Sequence, residues 1–181
     1  MIEVIAGPMY SGKTEELIRR LTRAKIGRKR VIAYKPAIDD RYKSDSLASH
    51  SGSEIECSPI HIGLHHFVIR DDVDLIAFDE VQFFDPIIIE YAQEIASHNV
   101  KVVLAGLDMT YRREPFGPMP ILMAIAAEVT KLKAVCHVCG ADAAYTQRLV
   151  GDRPAPFDGP TIQVGAFESY EARCWYCFET G

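Results

Sequence analysis

No stretch of the 181-residue sequence approaches the roughly 20 continuous apolar residues that a helix needs to cross a bilayer, which excludes an ordinary transmembrane span. Basic residues are in the minority. With 20 Lys and Arg against 25 Asp and Glu, the net charge is −5, which argues against nucleic acid as the main partner. Duplex binding leans on clustered cations that neutralise phosphates. The one dense basic run, from Arg19-Arg20 to Lys29-Arg30, is expected on the solvated face of a helix and in the turn after it. Internal repeats and low-complexity tracts are also missing. The first residues, Met1-Ile2-Glu3-Val4-Ile5-Ala6, carry no basic leader and run straight into a motif, so no cleaved signal peptide is expected and a cytoplasmic location is. Cysteines number only five. In a reducing compartment, pairs among them are metal ligands rather than disulfides.

What remains is ordinary soluble-protein composition, 48% apolar and 25% charged, in a chain long enough for one core and a small satellite module. Ile2 to Ala6 reads as a buried strand bounded by Gly7-Pro8. Leu17, Ile18, Leu21 and Ala24 then recur at helical spacing, which predicts a helix from Lys13 to about Ile26 with Gly27 as its C-cap. Val31 to Tyr34 is a second short strand, ended by Pro36. Residues 37–66 are polar and turn-rich, with no periodicity until Phe67-Val68-Ile69. Asp74 to Phe78 and Val102 to Leu107 are near-continuous apolar strands. Between them Pro86 opens a helix through Ser97 with Ile88, Tyr91, Ala92 and Ile95 on one face, and a Met- and Ala-rich helix is expected over Met119 to Glu128. Apolar strands alternating with helices define an α/β fold with a parallel sheet covered on both faces. The last third is Cys-, Gly- and Pro-rich. The sequence therefore divides into a nucleotide-binding domain over 1–132 and a metal-stapled module over 133–181.

Gly7-Pro8-Met9-Tyr10-Ser11-Gly12-Lys13-Thr14 matches G-x-x-x-x-G-K-[ST] in full, between a strand and a helix. Such a loop wraps phosphates with backbone N–H groups at the positive end of the helix. Lys13 is expected to reach the β/γ-phosphates of ATP, and the Thr14 hydroxyl to ligate Mg²⁺. Asp79-Glu80 follows directly on the strand Leu75 to Phe78, where an acidic residue can hold the Mg²⁺ shell beside Thr14; the plainer alternative is a pair of solvated carboxylates at a strand end. Glu80, beside it, can act as general base on an attacking hydroxyl. The dipeptide leaves open whether that attacker is water or a substrate hydroxyl.

Cys136-x-x-Cys139 and Cys174-x-x-Cys177 carry the signature of a tetrahedral Zn²⁺ site. Four thiolates leave no open position, so the zinc is expected to be structural, with a redox CxxC as the alternative. The separation of the two pairs exceeds the usual knuckle spacing. The metal is thus expected to staple the base of a long excursion containing Gly151, Pro154, Pro156, Gly159 and Pro160, a loop or lid. Cys57 has no partner in the pattern. His50, His61, His65, His66, His98 and His137 stand singly or beside the finished site and are read as surface or local hydrogen-bonding residues.

In order along nearly the whole chain, the sequence resembles the type II thymidine kinases. The matching segments are the phosphate loop, Asp40-Arg41-Tyr42, Ser49-His50, Asp79-Glu80-Val81-Gln82-Phe83-Phe84, Gly106-Leu107-Asp108, Arg113, Pro115-Phe116-Gly117, Leu132 to Cys136, Ala144-Tyr145-Thr146, and Tyr170 with Arg173-Cys174. The resemblance implies a P-loop, RecA-like fold with a C-terminal lasso module. It implies Glu80 as the base that deprotonates the thymidine 5′-hydroxyl, Arg41 as a stabiliser of the transferring phosphoryl group, and Lys13 and Gln82 on the nucleotide side. Met9, Phe83, Leu107, Tyr111, Phe116, Thr146 and Tyr170 match the thymidine pocket, and Gln163, Val164 and Gly165 match a segment whose backbone reads the pyrimidine edge. A homotetramer inhibited by thymidine triphosphate is implied as well. Departures are Glu15 where relatives often have Thr or Ser, Val81 and Met109 in place of smaller residues, Tyr111 where Phe is common, and Ala166 in place of a second lasso Gly. The competing readings are a nucleic-acid-stimulated ATPase, for which Asp79-Glu80-Val81-Gln82 and a zinc ribbon would serve but a second lobe is lacking, and a nucleotide-dependent binding module.

Overall fold

The computed structural model describes residues 1–37, 46–48, 54–60, 72–161 and 168–181. Along the chain the strands and helices are β1 (Ile2–Ala6), α1 (Lys13–Ile26), β2 (Val31–Pro36), β3 (Ser46–Ala48), β4 (Glu54–Glu56), β5 (Ser58–Ile60) and β6 (Leu75–Phe78). A single turn of 3₁₀ helix (Val81–Phe83) precedes α2 (Ile88–Ser97), β7 (Lys101–Gly106), α3 (Met119–Ile125) and β8 (Glu128–Lys131). The C-terminal strands are β9 (Ala134–Val135), β10 (Asp142–Ala143), β11 (Tyr145–Val150), β12 (Arg153–Pro154) and β13 (Glu168–Arg173).

Among the described residues the main sheet has six strands in the order β5-β2-β6-β7-β1-β8, all paired in parallel. Alternation along the strands sends successive side chains to opposite faces. Val4, Ile76, Phe78, Val102 and Leu104 meet Ile88, Ala92 and Ile95 of α2 and Met119 and Leu122 of α3. Ile5, Leu75, Ala77, Val103 and Ala105 meet Leu17, Ile18 and Leu21 of α1. Each fully buried Leu or Ile in these two layers contributes about 1.5–3 kcal/mol of transfer free energy. That covering of both faces is the α/β architecture expected from the near-continuous apolar strands.

One segment departs from the expected element. The helix from Met119 ends at Ile125, because Ala126 turns to ψ 141. Glu128–Lys131 instead extends along the free edge of β1. The Ala127 N–H donates to the Ile2 carbonyl at 2.9 Å, and the Leu132 N–H to the Ala6 carbonyl at 2.8 Å. Glu-Val-Thr-Lys has no apolar pattern of its own; the pairing comes from β1, a tertiary effect that outweighs local preference. The basic run also departs in part. Arg20 is largely buried and binds Glu3 at 2.7 Å, Glu16 at 2.9 Å and Thr130 at 2.7 Å, so it ties α1 to β1 and β8 rather than facing solvent.

From Ala134 onward the chain forms short antiparallel ladders. The excursion between the two cysteine pairs is in good part sheet rather than loop, since β11 runs out and β13 runs back with Tyr145 opposite Arg173 and Val150 opposite Glu168. This return is what delivers Cys174 to Cys136 and Cys139.

Candidate active site and metal centre

The phosphate loop leaves the C-terminal end of β1 and enters α1. A Cβ on Gly7 would lie 2.7 Å from the Leu132 carbonyl oxygen, so only glycine fits where the loop crosses the end of β8. Lys13 is buried, and its Nζ donates to the Pro8 carbonyl at 2.8 Å across the loop. Burial lowers the Lys13 ammonium below its usual range, and the charges of Glu80, Asp79, Asp108 and Glu15 pull it back up. The cation thus lies in a ring of carboxylates that a phosphate chain would share.

Asp79 and Glu80 close the end of β6. The Thr14 hydroxyl donates to Asp79 Oδ2 at 3.0 Å, and the Glu80 N–H donates to Asp79 Oδ1 at 3.0 Å. Burial, then the neighbouring Glu80 charge, push the Asp79 carboxyl up to about 7, against the two donors. A buried carboxylate and a hydroxyl side by side are the hard oxygen donors a Mg²⁺ shell uses, and a divalent cation would restore the charged form of Asp79. Glu80 itself sits at φ 52, ψ 41, in the left-handed region that non-glycine residues rarely adopt. Its Oε2 accepts from Gln82 Nε2 at 2.5 Å, while Gln82 Oε1 accepts the Leu107 N–H at 2.8 Å. Gln82, expected at the nucleotide, therefore has both ends of its amide engaged inside the protein as a brace between Glu80 and the end of β7. Gly117, at φ 50, packs against the Gln82 main chain, and a Cβ there would fall 2.4 Å from the Gln82 backbone carbonyl oxygen.

Several residues expected around the nucleoside are tied to the phosphate loop or to one another. The Met9 N–H donates to Thr146 Oγ1 at 3.0 Å, which joins the phosphate loop to β11. Phe83 and Phe116 meet edge to face with centroids 5.6 Å apart. Leu107 follows β7 directly. Tyr111 is buried, and its hydroxyl stands 3.1 Å from the Pro156 and Gly159 carbonyls, so in this structure the extra hydroxyl holds the 154–160 segment. Tyr170 lies on β13 opposite Arg148. Arg41, Gln163, Val164 and Gly165 lie outside the described residues, as do Asp40, Tyr42, Ser49, His50, His61, His65, His66, Phe67, Val68, Ile69 and Ala166.

Two site neighbours were given no role by the sequence reading. Asp108 is buried just past β7, with Lys131 Nζ 2.8 Å from Oδ2. Among the described residues Asp108 Oδ1 has no hydrogen-bond partner. Its signal was available, since an acidic residue directly after an apolar strand is what marked Asp79. Arg148, fully buried with its guanidinium carbon 4.7 Å over the Tyr111 ring, gave none, because an arginine in a polar strand reads as exposed.

Cys136, Cys139, Cys174 and Cys177 bring their sulfurs within 4.8 Å of one another. Burial raises the Cys136 thiol, but backbone N–H groups of Cys174, Cys139 and Val138 outweigh it and bring the value down to about 6. Cys177 is pushed up to about 12 by hydrogen bonds with the Cys139 and Cys174 thiols. Four converging sulfurs with backbone donors, which cannot all ionise without a cation, fit a structural Zn²⁺. His137, beside the site, is exposed and stands 3.5 Å from Glu171. A wide groove lined by Arg19, Arg23, Lys29 and Asp74 lies at the opposite, N-terminal end of the strands, away from all of these groups.

A strand, a phosphate loop on a helix N-terminus and an acidic pair at the end of a parallel strand two places away in the sheet define a P-loop nucleotide-binding protein. A family model described as thymidine kinase matches residues 1–178, and the chain belongs to that family, the type II thymidine kinases. Membership supports a nucleoside kinase role and implies the use of ATP.

Proposed function

We propose that the protein transfers the γ-phosphoryl group of ATP to the 5′-hydroxyl of thymidine, giving thymidine monophosphate and ADP. The observation that carries this reading is Glu80, held in a left-handed conformation between the Asp79–Thr14 pair and the Gln82 brace, beside the buried Lys13. Glu80 takes the 5′-hydroxyl proton as the oxygen attacks phosphorus and the bond to the β-phosphate oxygen breaks. Lys13 and the loop N–H groups hold the phosphate charge, and Arg41 supports the transferring group. Thr14 and Asp79 would hold a Mg²⁺ ion, which would supply positive charge against the phosphates. Met9, Phe83, Leu107, Tyr111, Phe116, Thr146 and Tyr170 line the pocket of the base, and Gln163 to Gly165 satisfy its polar edge through the main chain. The zinc is structural. A division at 1–132 and 133–181, a cytoplasmic homotetramer and inhibition by thymidine triphosphate complete the reading.

The test is turnover of ATP with thymidine, with single-stranded DNA, and with neither. Thymidine-dependent formation of the monophosphate is expected. Glu80→Gln should lower kcat by about 10²–10⁴-fold while ATP binding persists, the usual contribution of a general base. ATP hydrolysis stimulated by DNA and indifferent to thymidine would replace this reading with the ATPase one.

A further inference from the structure

Resting on the kinase reading, and going one step past it, we infer that Arg113 is a positioning residue for the nucleoside, locked by an aromatic box beside the cysteine cluster. The residues that follow β7 form a closed turn. Phe116 donates its N–H to the Asp108 carbonyl at 3.1 Å, Thr110 to Glu114 at 2.8 Å, and Arg113 to Thr110 at 3.0 Å. Tyr111 and Phe116, two of the side chains assigned to the base, project from this turn. Arg113 adopts φ 63, a conformation in which glycine or asparagine would be expected. A non-glycine residue persists there when its surroundings over-determine it, and such outliers cluster at functional sites.

The surroundings of Arg113 are three rings. Its guanidinium carbon lies 4.6 Å from the centre of Phe178, 5.0 Å from Trp175 and 5.6 Å from Tyr145. All three are within cation–π reach. The rings also touch one another, Tyr145 being 5.8 Å from both Trp175 and Phe178. Each ring is fixed by something that matters to the site. Trp175 follows Cys174, and Phe178 follows Cys177 and donates its N–H to the Cys174 carbonyl at 3.1 Å. Tyr145 precedes Thr146, whose hydroxyl oxygen accepts the Met9 N–H of the phosphate loop. Arg112, next door, reaches the other way and donates from Nε to the Phe157 carbonyl at 2.6 Å. The turn is thus gripped from two sides, and Arg113 is the bolt on the cysteine side.

Trp175 is the sole tryptophan, so its emission reads the stack directly. The experiment compares wild type, Arg113→Ala, Arg113→Lys, Trp175→Ala and the double variant Arg113→Ala/Trp175→Ala, each purified with its zinc content measured. Losing this partly exposed cation–π contact, with Trp175 63% exposed, should raise the thymidine KM about two- to fivefold. The ATP KM and the zinc content should stay at wild-type levels. Arg113→Lys should recover part of the loss, since the ammonium keeps the charge but not the planar stack. The double variant should be no worse than the worse single one, the sign of a shared contact. Arg113→Ala should also shift Trp175 emission. A wild-type thymidine KM in zinc-loaded Arg113→Ala, additive single effects, or an emission spectrum indifferent to residue 113 would overturn the inference while leaving thymidine phosphorylation standing. A wild-type protein that phosphorylates no nucleoside would instead remove the kinase reading, and this inference with it.

Discussion

Gln82→Leu separates the chemistry of Glu80 from the brace that holds it. The substitution keeps size and burial but removes both amide contacts, the 2.5 Å bond to Glu80 and the 2.8 Å bond from the Leu107 N–H. Because Glu80 is half-buried, its bond counts at the low end for a charged acceptor, about 1.5 kcal/mol. The Leu107 N–H, left without an acceptor, costs about 1–3 kcal/mol more. Apolar burial of the new side chain returns roughly 1 kcal/mol. The net is a destabilisation of about 1.5–3.5 kcal/mol, or a Tm lower by roughly 3–14 °C for a chain of this size. The larger effect is on rate. Glu80 would keep only its N–H bond to Asp79 to hold a left-handed backbone, and a displacement of about 1 Å in a reacting group typically costs 10²-fold. We expect kcat down about 10²-fold with the ATP KM unchanged, in steady-state assays with thymidine varied and at a temperature where melting curves show the variant folded. Gln82→Glu provides the control. It keeps an acceptor for the Leu107 N–H but sets a second carboxylate against Glu80 in place of a donor, so kcat should fall while more of the stability persists than in Gln82→Leu. A folded Gln82→Leu enzyme with wild-type kcat would show that Glu80 needs no brace, and the reasoning would fail.

Two further outcomes follow from the metal centre and the first helix. Freshly purified protein should carry one zinc per chain, and Cys→Ser at position 136, 139, 174 or 177 should lower Tm with loss of the metal, since ligand loss in a structural site subtracts folding free energy directly; metal analysis finding no zinc would sink it. Hydrogen bonding from Arg19 first, and from Arg20 against some burial, holds the Glu16 carboxyl down from 4.5 to about 2. A depressed folded value stabilises fully above the unfolded one, so this contribution should be intact above about pH 4.5 and lost as pH falls toward 2. Glu16→Gln should remove it, and acid-limb melting curves that superpose on wild type would refute the assignment.

The sequence was legible wherever one local rule set the outcome. Helix α1 runs from Lys13 to Ile26 as its 3.6-residue spacing and Gly27 required, and β1 occupies Ile2 to Ala6 as the apolar run did. The phosphate loop and the two cysteine pairs have fixed spacing because phosphate and metal demand it. What stayed hidden depends on partners distant in the chain. The β8 strand exists because β1 offers an edge. Arg20 reads as a surface cation in a basic run, and only the fold places Glu3 within 2.7 Å of it. Tyr111 reads as a base-stacking ring, and only the return of the chain at 156–159 shows what its hydroxyl holds. Gln82 is a motif position whose neighbours, Glu80 in sequence and Leu107 across the sheet, decide its task.

Five non-glycine residues among those described have φ near 60°, and their placement separates folding from function. Arg28 and Asn99 close helices α1 and α2, where a left-handed residue satisfies the last carbonyls; Arg28 donates to Lys25 at 2.9 Å and Asn99 to Ala96 at 3.2 Å. Strain there buys a helix end. Tyr10, Glu80 and Arg113 close no helix. They stand in the phosphate loop, at the carboxylate after β6, and at the tip of the turn after β7, and these are the C-terminal ends of three adjacent strands, β6, β7 and β1. In an open parallel α/β sheet that edge is where ligands bind. Each of the three is held by contacts from outside its own segment or from the motif around it: Glu80 by Asp79 and Gln82, Arg113 by the rings beside the cysteines, and the loop bearing Tyr10 by Thr146 of β11. Two of those three restraints come from the C-terminal ladders. The small cysteine-bearing region is therefore part of what keeps that edge in its strained form, and its loss should be felt there before it is felt in the core of the sheet.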